Sequence, residues 1–245
     1  MSAFVSHLRF RPLRFISAFS TLFICGCAHY QSPITHLESP ETAKKGRPGR
    51  LELIGGYLST SLDVEPVSKT KMVSGVATTE ITANSSEPGF MTGYLFPIID
   101  QLEIGFRMIP MGPLTLRGKY QFTGPTEDEA VSGDFSMAAV LGTGLLFGSW
   151  TGVSTTLFSF DVALPVGYRI FNRHLVFLTP FFNLTSLSGA AAVSCSRYGA
   201  GLGYQYTFEN FFFRAEVPYA AGSLVGTATG TIGSIFPGAM IGLNL

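Results

Sequence analysis

The residues that could do chemistry are nine charged side chains that alternate with apolar ones. In residues 101–122, Glu103 and Arg107 alternate with aliphatic and aromatic residues, and Arg117 and Lys119 do so again after a short turn. Successive side chains of a β-strand point to opposite faces, so this spacing places the charges on one face. The same spacing recurs further along the chain. The full set is Glu103, Arg107, Arg117, Lys119, Asp161, Arg169, Arg197, Arg214 and Glu216.

This charged face could do two things. It could form an interlocked network of ion pairs and hydrogen bonds that fills a closed interior. It could instead line a narrow pore with a weak preference for anions, because six of the nine residues are basic. The closed, side-chain-filled interior is our main prediction, and the pore is the alternative.

Catalysis is not expected from these residues. His29 and His36 lie in a polar segment, and His174 lies in an expected short turn, so no histidine is placed to activate a serine. The chain also has no Cys/His cluster with metal-ligand spacing and no glycine-rich phosphate loop. We therefore predict a protein that is not an enzyme and that uses no cofactor and no metal.

The composition argues against a nucleic-acid partner and against an ordinary soluble domain. The 245 residues include 16 basic and 16 acidic ones, and no basic stripe is visible. Charged residues make up 13% of the chain, against about 25% in a typical soluble domain. Hydrophobic residues make up 46%, and 22 residues are phenylalanine.

The elements that must position the charged face are β-strands, because the apolar residues repeat with a period of two from residue 51 to the end. Most of the segments have ten or more residues, enough for a tilted strand to cross a bilayer. A possible extra strand at 76–83 leaves eight to twelve strands open. The ten predicted strands are 51–62, 87–99, 101–110, 114–124, 135–149, 153–171, 174–189, 195–208, 211–223 and 233–245.

This strand list predicts an all-β fold, an antiparallel up-and-down transmembrane β-barrel of about ten strands. Short polar turns at 100, 172–174 and 209–210 then fall at one end, with 126–134 as a longer exception, and residues 63–87 fall at the other end as a long loop. Aromatic residues beside the short turns are typical of a membrane-interface girdle. They are Phe96, Phe171, Phe208, Phe211 and Phe212.

Two other folds compete with this one. Residues 135–160 and 217–245 contain stretches long enough for transmembrane helices, although Gly, Ser, Thr and Pro interrupt both. A soluble β-sandwich or lipocalin-like barrel would place the apolar face inside and the charges outside. Alternation alone does not distinguish these two orientations; the strand length, the aromatic residues and an export signal favour the membrane barrel.

The export signal lies at the N-terminus. Arg9, Arg11 and Arg14 precede an apolar stretch at 15–24 of the length of a secretory signal. The following "ICGC" resembles the lipobox of bacterial lipoproteins. The resemblance implies cleavage before Cys27 and a diacylglycerol on its sulfur, and the residue after it, which is not Asp, implies the outer membrane. Cys195 would then be the only unmodified cysteine.

Three regions follow from these patterns. Residues 1–26 are predicted to be a lipoprotein signal peptide. Residues 27–50 are rich in Pro, Ser, Thr and Lys and lack an apolar period, so they are predicted to be a disordered periplasmic tether. Residues 51–245 are predicted to be the barrel.

Residues 51–245 resemble an outer-membrane β-barrel of Gram-negative type. The resemblance implies a lipid-anchored barrel in the cell outer membrane, with a structural or envelope role and with outer-membrane lipids and the barrel-assembly and lipoprotein-sorting machineries as partners. The acyl chains on Cys27 are expected in the inner leaflet. The alternatives are the pore, surface recognition through residues 63–87, and a lipoprotein with a soluble periplasmic β domain. The pattern indicates no oligomeric state.

Overall fold

A computed structural model describes residues 29–33, 37–64, 81–109, 112–150, 153–189, 192–226 and 230–245. Within these ranges the regular structure is entirely β, and no helix in them is long and apolar enough to cross a membrane. The described parts of 135–160 and 217–245 form strands, so the interpretation of these stretches as transmembrane helices is wrong. The strands are β1 (His29–Pro33), β2 (Arg50–Val64), β3 (Ile81–Ile99), β4 (Leu102–Met108), β5 (Leu114–Thr123), β6 (Phe135–Trp150), β7 (Val153–Ala163), β8 (Val166–Phe171), β9 (His174–Ser188), β10 (Val193–Phe208), β11 (Phe211–Gly226), β12 (Gly230–Ile235) and β13 (Gly238–Asn244).

The barrel wall has ten strand positions, two of which are each shared by two short strands, and it closes into an antiparallel barrel, as the sequence predicts. Neighbouring strands pair in chain order, and β2 completes the ring by pairing with β3 on one side and with β13 on the other. β7 and β8 occupy one position, because both pair with β6 and β9. β12 and β13 occupy another position beside β11.

The two interrupted positions both break at a proline. Leu164 and Pro165 separate β7 from β8, and Phe236 and Pro237 separate β12 from β13. Proline has no N–H to give to a ladder, which suits it to such a break. Residues 153–171, predicted as one strand, form two, and β3, predicted to begin at residue 87, begins at residue 81.

The two ends of the barrel differ. The turn end, as we call it, carries the links at 100–101, 124–134, 172–173 and 209–210 and the C-terminal residue. The loop end carries the links that follow β2, β4, β6, β9 and β11. The expected loop 63–87 lies mostly outside the described residues, except that 63–64 end β2 and 81–87 begin β3.

The apolar face points outward and the charged face inward. Leu116 and Leu202 are about 60% exposed on the outer wall, whereas Glu103 and Arg107 are buried. A soluble barrel has the opposite orientation. Phe212 differs from the expected girdle: it is buried inside, while Phe211, its neighbour in β11, points outward, as alternation along a strand requires.

Residues 37–49 depart from the disordered tether expected over 27–50. Residues 37–43, which we call the luminal segment, are buried within the barrel, and residues 44–49 lead from it to the start of β2. The composition suggested disorder because so few apolar residues are present. The luminal segment is held instead by polar groups of the wall, and the composition of the segment itself does not reveal these partners.

Candidate functional site

The candidate site is the barrel lumen, which holds a balanced set of charges. All nine charged residues predicted from the sequence are buried there, together with five others. Among the described residues the buried charges are seven basic and seven acidic, and the luminal segment supplies two of the acidic ones. The basic residues are Arg50, Arg107, Arg117, Lys119, Arg169, Arg197 and Arg214; the acidic ones are Glu38, Glu41, Glu52, Glu103, Glu127, Asp161 and Glu216.

The luminal segment is bonded to the wall at the turn end through Thr42 and Ala43. The Thr42 amide donates to Oε1 of Gln121 at 2.7 Å, and its hydroxyl donates to the Asp100 carbonyl at 2.5 Å. The Ala43 amide donates to Oε1 of Glu103 at 2.7 Å. Buried backbone amides need such acceptors, because water does not reach them.

Glu41 is paired with Arg169. Its carboxylate accepts from Nε at 2.9 Å and from Nη2 at 2.5 Å, the two-point geometry that suits a guanidinium and a carboxylate. Its backbone carbonyl accepts from Nζ of Lys119 at 2.7 Å. Lys119 in turn lies 2.5 Å from Oε2 of Glu103. One residue of the luminal segment therefore bonds to two charged residues of the wall.

Glu38 lies between two wall arginines. Its Oε1 is 2.7 Å from Nη2 of Arg107 and 3.1 Å from Nη2 of Arg117. Each arginine also meets a wall carboxylate: Arg107 donates to Oε2 of Glu52 at 2.9 and 2.8 Å, and Arg117 lies 3.4 Å from Oδ2 of Asp161. Glu38 thus joins two ion pairs of the wall into one network.

Leu37 is held through both its backbone groups and its side chain. Its amide donates to Oε2 of Glu216 at 2.6 Å, and its carbonyl accepts from Nη1 of Arg214. Arg214 also donates to Oε1 of Gln205 from Nε at 2.9 Å and from Nη2 at 2.7 Å. The Leu37 side chain joins a buried apolar cluster inside the barrel, which contains Ile54, Met91, Ile109, Phe212 and Met240.

The link between β5 and β6 covers the turn end through Glu127. Its amide donates to the Thr42 carbonyl at 2.9 Å, and its carboxylate lies 2.5 Å from Nη2 of Arg50. Gln205 and Thr207 each donate to Oε1 of Glu127 at 3.0 Å. Burial alone would raise the pKa of Glu127, but the nearby arginines outweigh burial and hold it below its usual value.

Two exposed ion pairs clasp residues 44–47 to the same link. Nζ of Lys44 is 2.8 Å from Oε1 of Glu129. Arg47 donates to both carboxylate oxygens of Asp128, at 2.9 and 2.5 Å. Exposed pairs of this kind contribute about 0–1 kcal/mol each, so the clasp adds little to the buried contacts.

No protein-family model, curated protein or solved structure matches this chain.

Arg197 is the one predicted site residue placed apart from the luminal segment. It lies on β10 toward the loop end and donates to Oδ1 of Asn183 at 2.6 Å and to Oγ1 of Thr185 at 3.4 Å. The other eight predicted residues lie around the luminal segment or the ion pairs that it joins. Cys27 lies outside the described residues, so its predicted modification stays a prediction.

The lumen is also filled by aromatic rings that lie against glycines. A Cβ added at Gly203 would lie 2.1 Å from Cζ of Phe177, and one at Gly242 would lie 1.8 Å from Cζ of Phe212. The Phe212 ring is stacked by Arg50 and Arg214, whose Cζ atoms are 5.1 and 4.9 Å from its centroid. The interior is therefore a packed core of mixed polarity.

Five of the buried charges are absent from the set predicted from the sequence. Arg50 and Glu52 alternate with Leu51 and Leu53 at the start of β2, so the period-two pattern could have found them. Glu127 lies in the link that was noted for its length only. Glu38 and Glu41 lie in a stretch without periodicity, and no sequence signal indicated that it enters the barrel. Among the described residues no group of His, Cys, Asp and Glu could hold a metal ion.

Proposed function

We propose that this chain is an outer-membrane β-barrel anchored by lipid at Cys27, with a structural role in the envelope and a closed lumen. The observation that carries this proposal is the pairing of an apolar outer wall with a lumen of seven basic and seven acidic residues. Charges inside and apolar groups outside suit a barrel surrounded by lipid. Filling of the lumen by the luminal segment favours closure over transport.

The outer wall also counts against a soluble periplasmic domain. Leucine, phenylalanine and tyrosine side chains along most of the strands are more than a third exposed, including Leu53, Phe106, Leu145 and Tyr219. Soluble monomers rarely expose contiguous apolar surface larger than a few hundred Å². Outer-membrane lipids are the partner that this surface fits.

The test is the gel mobility of the detergent-extracted protein with and without heating, combined with recordings in a planar lipid bilayer. We expect a band that shifts on heating, because a closed barrel resists unfolding by detergent at room temperature, and no conductance steps in the unaltered protein. An identical mobility before and after heating would contradict the barrel in the membrane. Regular conductance steps would contradict the closed lumen.

A second candidate function is a narrow anion-preferring pore that opens when the luminal segment leaves. It is favoured by the charge balance: Glu38 and Glu41 supply two of the seven buried carboxylates, so the wall alone keeps a basic excess. Arg107, Arg117 and Arg169 would then face water inside the barrel. Such a pore would select anions electrostatically.

Lipidation of Cys27 is tested separately. The native protein is expected to incorporate labelled palmitate, and Cys27→Ser is expected not to. In the absence of the lipid the barrel should still resist carbonate extraction, because the strands themselves hold it in the membrane. We also propose that the barrel-assembly and lipoprotein-sorting machineries handle the chain and that it catalyses no reaction.

A further inference from the structure

The luminal segment runs in one direction through the barrel. Its partners on β5, which descends from the loop end to the turn end, are Gln121 for Thr42, Lys119 for Glu41 and Arg117 for Glu38. Going back along the segment toward its N-terminus, the contacts therefore move up β5 away from the turn end. From Thr42 to Glu38 the segment advances four residues, and its partners on β5 also advance four residues, about 13 Å along the strand.

β4 gives the same direction independently. Ala43 bonds to Glu103 near the start of β4, at the turn end, and Glu38 pairs with Arg107 near its other end. The chain upstream of Glu38 thus leads toward the loop end, away from the end at which β2 begins.

β1 lies where this path leads. It pairs antiparallel with β2 in a register that sets His29 opposite Asp63 and Pro33 opposite Ser59. β2 begins at Arg50 at the turn end, so Asp63 is thirteen residues further along it, about 43 Å at 3.3 Å per residue. Only three residues separate Pro33 from Leu37, and an extended chain of that length bridges about 14 Å. β1 and the luminal segment are therefore consecutive parts of one path.

We propose that the N-terminal segment passes through the barrel from the loop end to the turn end, so that the lipid on Cys27 is placed in the outer leaflet, at the cell surface. Cys27 is two residues from His29 and reaches about 7 Å from it, far short of the turn end. This inference rests on the proposed lipid-anchored outer-membrane barrel. It reverses the inner-leaflet position expected from the sequence, which assumed a tether that stays in the periplasm.

The loop end offers an apolar surface to the acyl chains. Phe147 near the end of β6 and Val225 near the end of β11 lie toward the loop end, and they are 74% and 63% exposed on the outer wall. The lipid would lie against this rim, with its glycerol near the headgroups.

A tag on each side tests this placement. A short epitope is inserted between Ala28 and His29 in the full chain, and the control carries the same epitope in the turn between Glu209 and Asn210. We expect antibody to bind the first tag on intact cells and the control only after the outer membrane is permeabilised. If the first tag also requires permeabilisation, the inference is overturned, and heat-modifiable mobility of the same protein would leave the proposed barrel standing. Loss of that mobility in the untagged protein would overturn both.

A cross-link tests the path without a tag. Ser32 and Thr60 are partners in the β1–β2 register, so Ser32→Cys with Thr60→Cys, in a Cys195→Ser background, should form a disulfide on oxidation of the purified lipoprotein. Ser32→Cys with Leu53→Cys is the control, because Leu53 lies in the turn-end half of β2. A cross-link in the first pair alone supports the path. A missing cross-link in the first pair, or equal cross-linking in both pairs, overturns it.

Discussion

Oε1 of Glu38 lies 2.7 Å from Nη2 of Arg107, so a carboxylate of the luminal segment neutralises an arginine of the barrel wall. Glu41 does the same for Arg169. Removing one partner of a buried pair leaves an uncompensated charge, which is the costly way to disturb such an interior. The luminal segment is therefore part of what makes this lumen stable.

Glu38→Gln should destabilise the folded barrel by about 3 kcal/mol, because Arg107 and Arg117 lose a shared negative partner in a buried place. The midpoint of the heat-dependent gel shift measures this. Glu129→Gln is the matched control, since Glu129 makes an exposed ion pair with Lys44. We expect almost no change for the control. Equal midpoints for both variants would show that Glu38 contributes no more than a surface charge.

Removal of the luminal segment should open the lumen. Deleting residues 29–43 joins the acylated end directly to Lys44 and leaves seven buried basic and five buried acidic residues among those described. We expect conductance steps in planar bilayers and a reversal potential that indicates anion preference in a salt gradient. The unaltered protein is the control. A deletion variant that keeps its heat-modifiable mobility and remains silent would contradict the plug.

Gly242→Ala should destabilise the barrel by about 1–3 kcal/mol, the usual cost of overpacking a filled interior. The added methyl group would collide with the Phe212 ring, against which Arg50 and Arg214 both stack. Gly118→Ala is the control, because a Cβ there meets nothing within 4 Å. Urea unfolding followed by tyrosine and tryptophan fluorescence compares the two. A Gly242→Ala midpoint as high as that of Gly118→Ala would mean that the ring can move aside.

Acid should weaken the cover at the turn end. The nearby arginines outweigh burial and hold the pKa of Glu127 below its ordinary value of 4.5. Its stabilising contribution is therefore complete above that value and is lost as the pH falls through the lower folded-state pKa. Glu127→Gln should lower the free energy of unfolding at pH 7 and make little difference at acid pH, where the native carboxyl is protonated as well.

Urea titrations at pH 7 and at a series of lower pH values measure this difference. Glu209→Gln, in an exposed turn, removes the same charge and should have a small effect at all of these pH values. If the Glu127→Gln deficit were the same at all of them, the contribution of Glu127 would come from its shape and not from its charge.

The strands and the nine lumen charges were predictable because they share a single period. Residues such as Arg117 and Lys119 alternate with apolar neighbours. Once the strands close into a barrel, all residues of one face point inward and all residues of the other point outward. The luminal segment has no such period. Its backbone donates to separate carboxylates and amides on distant strands, such as Glu103 and Glu216, and contacts of this kind leave no pattern in the segment itself. The breaks at Pro165 and Pro237 did carry a signal, because proline weakens a strand ladder. Proline alone does not locate a break, since Pro180 and Pro218 lie inside the paired strands β9 and β11.

The ring closes where β2 pairs with β13, between the first and last strands of the wall. The luminal segment is joined to β2 within a few residues, so it is present before that seam can form. If the seam forms last, the remaining strands can assemble around the luminal segment. Arg169, Arg107 and Arg214 would then each bind a group of that segment as their strands join the barrel. No charged stretch then has to be drawn through a finished ring. The same order means that a chain without the segment would have to bring seven cations together with only five carboxylates to balance them.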